Sequence, residues 1–405
     1  MRNKDSFLLL ILRSCLLEQA CEEIQIDKNE WEALLYLSDE QEILPLIFDS
    51  CVNLPSMKAL DREKRKEWQE KALRIAIRQI VQTNEFLTLV LHAQAQGLNP
   101  VVLKGIVCRS LYPKPMLRPS VDEDLLIPPE ETERWHSFFL SEGLSIDEPD
   151  MDRTAAAEIS YHRQNSPTYI ELHKSLFPPN SNAYGDLNQL FDGVLDRTVE
   201  VQIEDVKLRT LAPTDHLLYL ICHAYKHFLH GGVGIRQIAD MALFSNAYGG
   251  DIDWEHIYRA CRSVNIETFT AALLRIAHKY LTMNTIPDAF TGIEVDEQPL
   301  LEDILSGGLY GTVYIDRVHS GNMTLDAVAA QKQGRRGSGV WHSLFPGAAY
   351  LQGHFPYVKK HPILLPLAWA QRLGNYLARS SKSNLAETIR IGQARIDLLK
   401  QYKVI

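Results

Sequence analysis

Between Pro100 and Ile127 the chain reads PVVLKGIVCRSLYPKPMLRPSVDEDLLI, and this stretch constrains the fold more than any other. Val101 and Val102, both β-branched, open a short strand that breaks at Lys104-Gly105. A helix start follows over Ile106–Tyr112, then a turn punctuated by prolines, then Asp122-Glu123-Asp124 running directly into Leu125-Leu126-Ile127. Successive strand residues alternate faces, so Asp122 and Asp124 are expected to project together while Glu123 points away. Two carboxylates side by side repel unless a cation sits between them. A hard ion that favours oxygen ligands, Mg²⁺ with Mn²⁺ as the alternative, suits that position, and such ions commonly arrive with phosphate groups. Asp-x-Asp alone also fits a solvated turn; the ordered succession strand, Gly, helix, turn, Asp-x-Asp, apolar strand favours a site.

The surroundings of this stretch narrow the class. With 405 residues the chain can bury a large core, and 45% apolar with 23% charged residues is ordinary for a globular protein. A net charge of −9 argues against a broad nucleic-acid-binding face, which needs clustered Lys and Arg. The six cysteines are scattered without a C-x-x-C pair, which suits reduced thiols better than a disulfide framework or a zinc site. Leu8, Leu9, Ile11, Leu12, Leu16 and Leu17 follow a helical stripe interrupted by Arg13, unlike a signal peptide, and no run is long enough to span a membrane. The expectation is a cytoplasmic protein without a membrane partner.

Apolar periodicity divides the chain into a helical region over 1–98, a strand-containing core over 99–212 and a mostly helical region over 213–405. Asp27 is placed to cap one early helix, and a long amphipathic helix is expected from about Leu60 to Gln96, stopped by Gly97. Within the core, a helix after Pro128-Pro129 precedes strands at Ile159–Arg163 and Thr168–His173. On the second strand Tyr169, Glu171 and His173 share one face and Ile170 and Leu172 the other. A hairpin over Val199–Ile203 and Val206–Leu211 turns at Glu204-Asp205. Thr214 is expected to cap the next helix, whose His216, His223, His227 and His230 fall near one stripe. His223 and His227 have the i, i+4 spacing of metal ligands but lack the Glu of H-E-x-x-H. Asp253, in a second Asp-x-Asp, reads as a helix cap, and Gln331–Gly339 with Arg335 and Arg336 reads as a loop.

The order of elements resembles the nucleotidyltransferase superfamily typified by DNA polymerase beta. LKG followed by LYP, Arg118, DEDLLI and the later Ile170-Glu171-Leu172-His173 is similar, more narrowly, to the bacterial uncharacterised nucleotidyltransferase family. Leu344-Phe345-Pro346, His361-Pro362 and Pro366–Arg372 extend the similarity toward the C-terminus. The resemblance implies an α+β fold, with a nucleotidyltransferase-like mixed sheet flanked by helices. It also implies Mg²⁺-dependent transfer of a nucleoside monophosphate, from a nucleoside triphosphate such as ATP, to an unidentified acceptor. Asp122 and Asp124 would hold metal, and Glu171 would be the third carboxylate, as ligand or general base. Gly105 would lie at the phosphates; Lys104 would reach them or stay solvated at the strand end, and Arg118 would meet them or pair with the neighbouring acids. The donors His223, Lys226, His227 and Arg236, dense on and after one helix, are expected near the carboxylates to bind the nucleotide. One departure stands out: Gly105 is followed by Ile106, where the superfamily has Ser. A catalytically silent binding or regulatory relative is the alternative. Converging carboxylates should leave at least one of them with a raised pKa.

Overall fold

The computed structural model describes residues 3–21, 24–58, 60–307, 315–334, 351, 355–371 and 385–405. Four helices lead into the sheet: α1 (Asn3–Leu16), α2 (Lys28–Glu40), α3 (Leu44–Cys51) and the single turn α4 (Pro55–Lys58). The apolar run near the N-terminus is a core helix, with Leu8, Leu9, Ile11, Leu12 and Leu16 buried. Asp27 caps α2 reciprocally: its side chain accepts from the Glu30 amide, and Glu30 reaches back to the Asp27 amide. The long helix α5 (Arg62–Ala95) is capped by Asp61, and Gly97 turns the chain at φ 70°.

The sheet follows as β1 (Val101–Val102), β2 (Glu123–Leu126), β3 (Ser145–Ile146), β4 (Glu158–His162), β5 (Tyr169–His173), β6 (Thr198–Ile203) and β7 (Val206–Leu211). Short helices α6 (Gly105–Arg109) and α7 (Thr132–Ser141) lie between its strands. The spatial order is β3-β4-β5-β2-β1-β7-β6, with β2–β5 and β1–β7 parallel and the other pairs antiparallel. The architecture is α+β, a mixed seven-stranded sheet with flanking helices. Ile170 and Leu172 supply the apolar face of β5, both fully buried.

Helices resume with α8 (Pro213–His230), α9 (Ile235–Tyr248), α10 (Trp254–Ser263), α11 (Glu267–Tyr280) and the single turn α12 (Asp288–Thr291). They continue as α13 (Gln298–Gly307), α14 (Ile315–Lys332), α15 (Pro356–Lys360) and α16 (Leu385–Gln401). One apolar core runs from Leu8 to Val404, and a separate small cluster joins Leu351, Val358 and Ala368. Among the described residues no helix is long and apolar enough to cross a membrane. Asp253 caps α10. Thr214 does not cap α8: Pro213, with no N–H to satisfy, occupies the first turn, and the Thr214 hydroxyl accepts from the Asp253 amide. Arg335, Arg336 and Leu344-Phe345-Pro346 lie outside the described residues.

α8 is fixed on the sheet partly through His216, which is fully buried against Phe244 and within 3.2 Å of the Thr210 hydroxyl on β7. Burial holds this imidazole down at about 3, so it folds uncharged. The unfolded chain takes up a proton near pH 6.5 and the folded chain resists until about pH 3, so stability is lost as pH falls through that window. Between pH 6.5 and 5, His216 alone removes about 2 kcal/mol. His216→Leu should flatten this part of the pH dependence, as read by urea midpoints at pH 7 and 5.

Candidate active site

β2 is four residues long, yet it buries carboxylates on both faces. Asp124 points to one face. Its Cα is in register with that of Glu171 on the parallel neighbour β5, and Asp122 precedes it by two residues. Lys104, at the turn from β1 into α6, places Nζ 2.7 Å from Asp124 Oδ2 and 3.7 Å from Asp122 Oδ2. Two residues beyond Glu171, His173 donates from Nε2 to Asp124 Oδ1 at 2.9 Å. The same nitrogen lies 3.6 Å from Glu171 Oε2, while Nδ1 lies 3.5 Å from Glu158 Oε2.

The electrostatics follow from burial and these neighbours. Burial works to raise the Asp124 carboxyl, but the Lys104 charge and the His173 hydrogen bond outweigh it and hold the group below the usual carboxylate range. Burial raises the Glu171 carboxyl, and the charges of Asp124 and Asp122 add to that against the hydrogen bond from His173. Burial works to lower the His173 imidazolium, yet its hydrogen bonds to Asp124 and Glu171 lift it to about 9. At neutral pH Asp124 therefore carries its charge between two cations, and Glu171 is the more basic carboxylate.

Glu123 faces away from this group, but not toward water. It is fully buried: Arg109 Nη2 donates to Oε1 at 2.6 Å and the Ile106 amide to Oε2 at 2.9 Å. A Cβ on Gly105 would collide with Oε2 of this pinned carboxylate. The glycine is thus required by the close approach of α6 to β2.

A cavity of about 30 Å³ adjoins the carboxylates, and Lys104, Arg118, Asp122, His223, Arg236 and Asp240 are among the residues that line it. Arg118 forms a bidentate pair with Asp240, at 3.0 and 2.6 Å, and not with the Asp-x-Asp acids; Tyr112 donates to the same carboxylate. Arg236 donates to Glu42 at 2.9 Å and to the Pro119 carbonyl. Each arginine keeps one buried nitrogen without an acceptor, Nη1 of Arg118 and Nε of Arg236. His223 and His227 bring their Nε2 atoms to 3.0 Å, and burial holds both imidazoles well below their ordinary value. Lys226 is half-buried between them in sequence, and His230 meets the Tyr184 hydroxyl at 2.8 Å. The histidines therefore do not form one array: His216 belongs to the core, and only His223 reaches the cavity.

Asp124, Glu171 and His173 can each offer a ligand atom with all three within 4.8 Å. The two carboxylates suit a divalent cation, with Asp124 Oδ2 buried and taking no partner except the Lys104 ammonium, and His173 could join them as a ligand only on giving up its proton. Sequence reasoning put His173 on the face of Glu171 without giving it a role; E-L-H spacing on a strand was the available signal.

The site thus combines a Gly-containing turn after one strand with acidic residues on two adjacent parallel strands. A family model described as uncharacterised nucleotidyltransferase matches residues 27–282, and the chain belongs to that family. Comparison with curated proteins gave no match, and neither did comparison with solved structures. The match spans every candidate site residue from Lys104 to Arg236 and ends before His361-Pro362.

Two outcomes follow for the metal-free protein. Asp124→Asn leaves Lys104 and protonated His173 buried beside a neutral amide and should cost about 3 kcal/mol by urea denaturation, whereas the more exposed Asp122→Asn should cost under about 1 kcal/mol. Gly105→Ala should cost about 2 kcal/mol or more in the same assay, because Glu123 has no room to retreat.

Proposed function

We propose that this protein is a divalent-metal-dependent nucleotidyltransferase that moves a nucleoside monophosphate from a nucleoside triphosphate to an acceptor hydroxyl, breaking the bond between the α- and β-phosphates and releasing pyrophosphate. The observation that carries the reading is the register pairing of Asp124 with Glu171 on parallel strands, with Asp122 at the strand entrance. Asp124 and Glu171, with Asp122 at the strand entrance, would hold the ion, Mg²⁺ or Mn²⁺, and His173 lies beside them. A bound ion there supplies charge neutralisation at the transferring phosphoryl group.

The protein's own groups do the rest. Glu171, made more basic by burial and by its neighbouring carboxylates, accepts the proton of the attacking hydroxyl. His173 orients Asp124 through its hydrogen bond, as partners of metal-binding carboxylates do. Lys104 is the principal phosphate contact, with His223 and the unpaired nitrogens of Arg118 and Arg236 behind it. Lys226 and His227 flank that wall. Gly105 acts indirectly, by letting the β1–α6 turn lie against β2.

A catalytically silent relative is the second reading, favoured by Ile106 in place of the superfamily's Ser and by the Lys104–Asp124 pair. Calorimetry of a non-hydrolysable nucleoside triphosphate with and without Mg²⁺, on wild type and Asp124→Asn, separates the two. The transferase reading requires Mg²⁺-dependent binding in the wild type that the variant loses, by about a factor of ten or more. Equal affinities in all four titrations would leave the silent reading. With binding established, a screen of acceptors using labelled triphosphates identifies the substrate, and Glu171→Gln should reduce turnover more than nucleotide affinity.

A further inference from the structure

Lys104 stands where the reaction needs something else. Its ammonium is 2.7 Å from Asp124 Oδ2 and 3.7 Å from Asp122 Oδ2, and it is largely withdrawn from water, with 13% of its side chain exposed. A divalent ion held by the same carboxylates would need the space that the ammonium fills, so the two compete for one volume. Asp124 Oδ1 is already taken by His173 and Oδ2 has no other partner, so no second buried oxygen of Asp124 can relieve the competition. The same lysine also lines the cavity with Arg118, Arg236 and His223.

We propose that Lys104 is a tethered stand-in for the metal: its ammonium holds the position between Asp122 and Asp124, and exchanges it for the nucleotide phosphates when the ion enters. This rests on the transferase reading for its second half only. When an ion enters alone, the displaced ammonium is driven toward the guanidinium groups of Arg118 and Arg236, where the carboxylate at hand, Asp240, is already taken by Arg118 and Tyr112. A polyphosphate arriving with the ion supplies that counter-charge. Ion and nucleotide then assist each other through a single side chain, and by linkage the assistance is reciprocal.

Removing the ammonium should therefore shift the two affinities in opposite directions. Lys104→Met keeps most of the apolar stem and loses the charge. Mn²⁺ binding without nucleotide, followed by electron paramagnetic resonance of the free ion, should tighten about tenfold in Lys104→Met. Affinity for a non-hydrolysable triphosphate at saturating Mn²⁺ should weaken about tenfold. Lys104→Arg, which retains the competing cation, should stay within about twofold of wild type for Mn²⁺ alone. A second measurement needs no variant: acetylation of Lys104 in the wild type, followed by mass spectrometry, should speed up about fivefold or more on saturation with Mn²⁺ and slow again with nucleotide. Unchanged or weaker Mn²⁺ binding in Lys104→Met, no Mn²⁺ binding in either protein, or an acetylation rate indifferent to Mn²⁺ overturns the proposal. Mn²⁺ binding that responds to Lys104 in a protein that takes up no nucleotide removes the transferase reading and leaves the exchange of lysine for ion standing.

Discussion

The structure depends on an anion kept out of water. Asp124 is 1% exposed, in the middle of a sheet, and an isolated carboxylate there would be costly enough to take up a proton. It remains charged because cations reach it from both sides, Lys104 from the end of β1 and His173 from β5. That arrangement exists only when β2 lies between β1 and β5, as it does in the observed strand order. The antiparallel pairing with β1 and the parallel pairing with β5 are therefore electrostatic requirements as much as hydrogen-bonding ones.

The opposite face of β2 repeats the device with different chemistry. Glu123 is closed off by Arg109 and the Ile106 amide, a pair with no exposed atom of consequence and no route to a ligand. Burial raises the Glu123 carboxyl while Arg109 opposes it, and breaking the pair would leave an uncompensated charge in the core. One face of the strand is thus sealed and the other left adjustable. Further out, the Arg118–Asp240 pair and the Arg236 bond to the Pro119 carbonyl tie α9 to the turn before β2, and the Arg236–Glu42 pair ties it to the loop between α2 and α3.

Much of this was legible in the sequence wherever local pattern decides. The change from helical to alternating periodicity at Val101 marks the sheet, Ile170 and Leu172 give the buried face of β5, and Asp27 and Asp253 cap the helices they precede. The family resemblance was carried by the same local words, LKG and DEDLLI. What local pattern cannot give is the choice of distant partner. Nothing near Glu123 announces that Arg109 turns back to meet it, nor that Arg118 pairs with Asp240, more than a hundred residues away, in preference to Asp122. The histidine stripe meets the same limit: equal spacing on α8 says nothing of what packs over each turn, and His216 meets Phe244 while His230 meets Tyr184.

The partners of the site's charges also limit how a substrate can use them. Arg118 and Arg236 have committed donors to Asp240, Glu42 and Pro119, and the cavity that these residues help line, about 30 Å³, has room for a water or two and not for a phosphate. Their contribution to an anion is thus mainly a field, set by fixed charge behind the wall, with close contact left to a side chain that can move. Lys104 is that side chain, since it bridges the acidic group and the cavity. The basic and acidic groups here nearly balance, so a divalent ion alone would leave the site with excess positive charge in a poorly screened interior. A polyphosphate removes that excess. On the proposed transferase reading, charge balance therefore favours an ion entering with a nucleotide and not ahead of it.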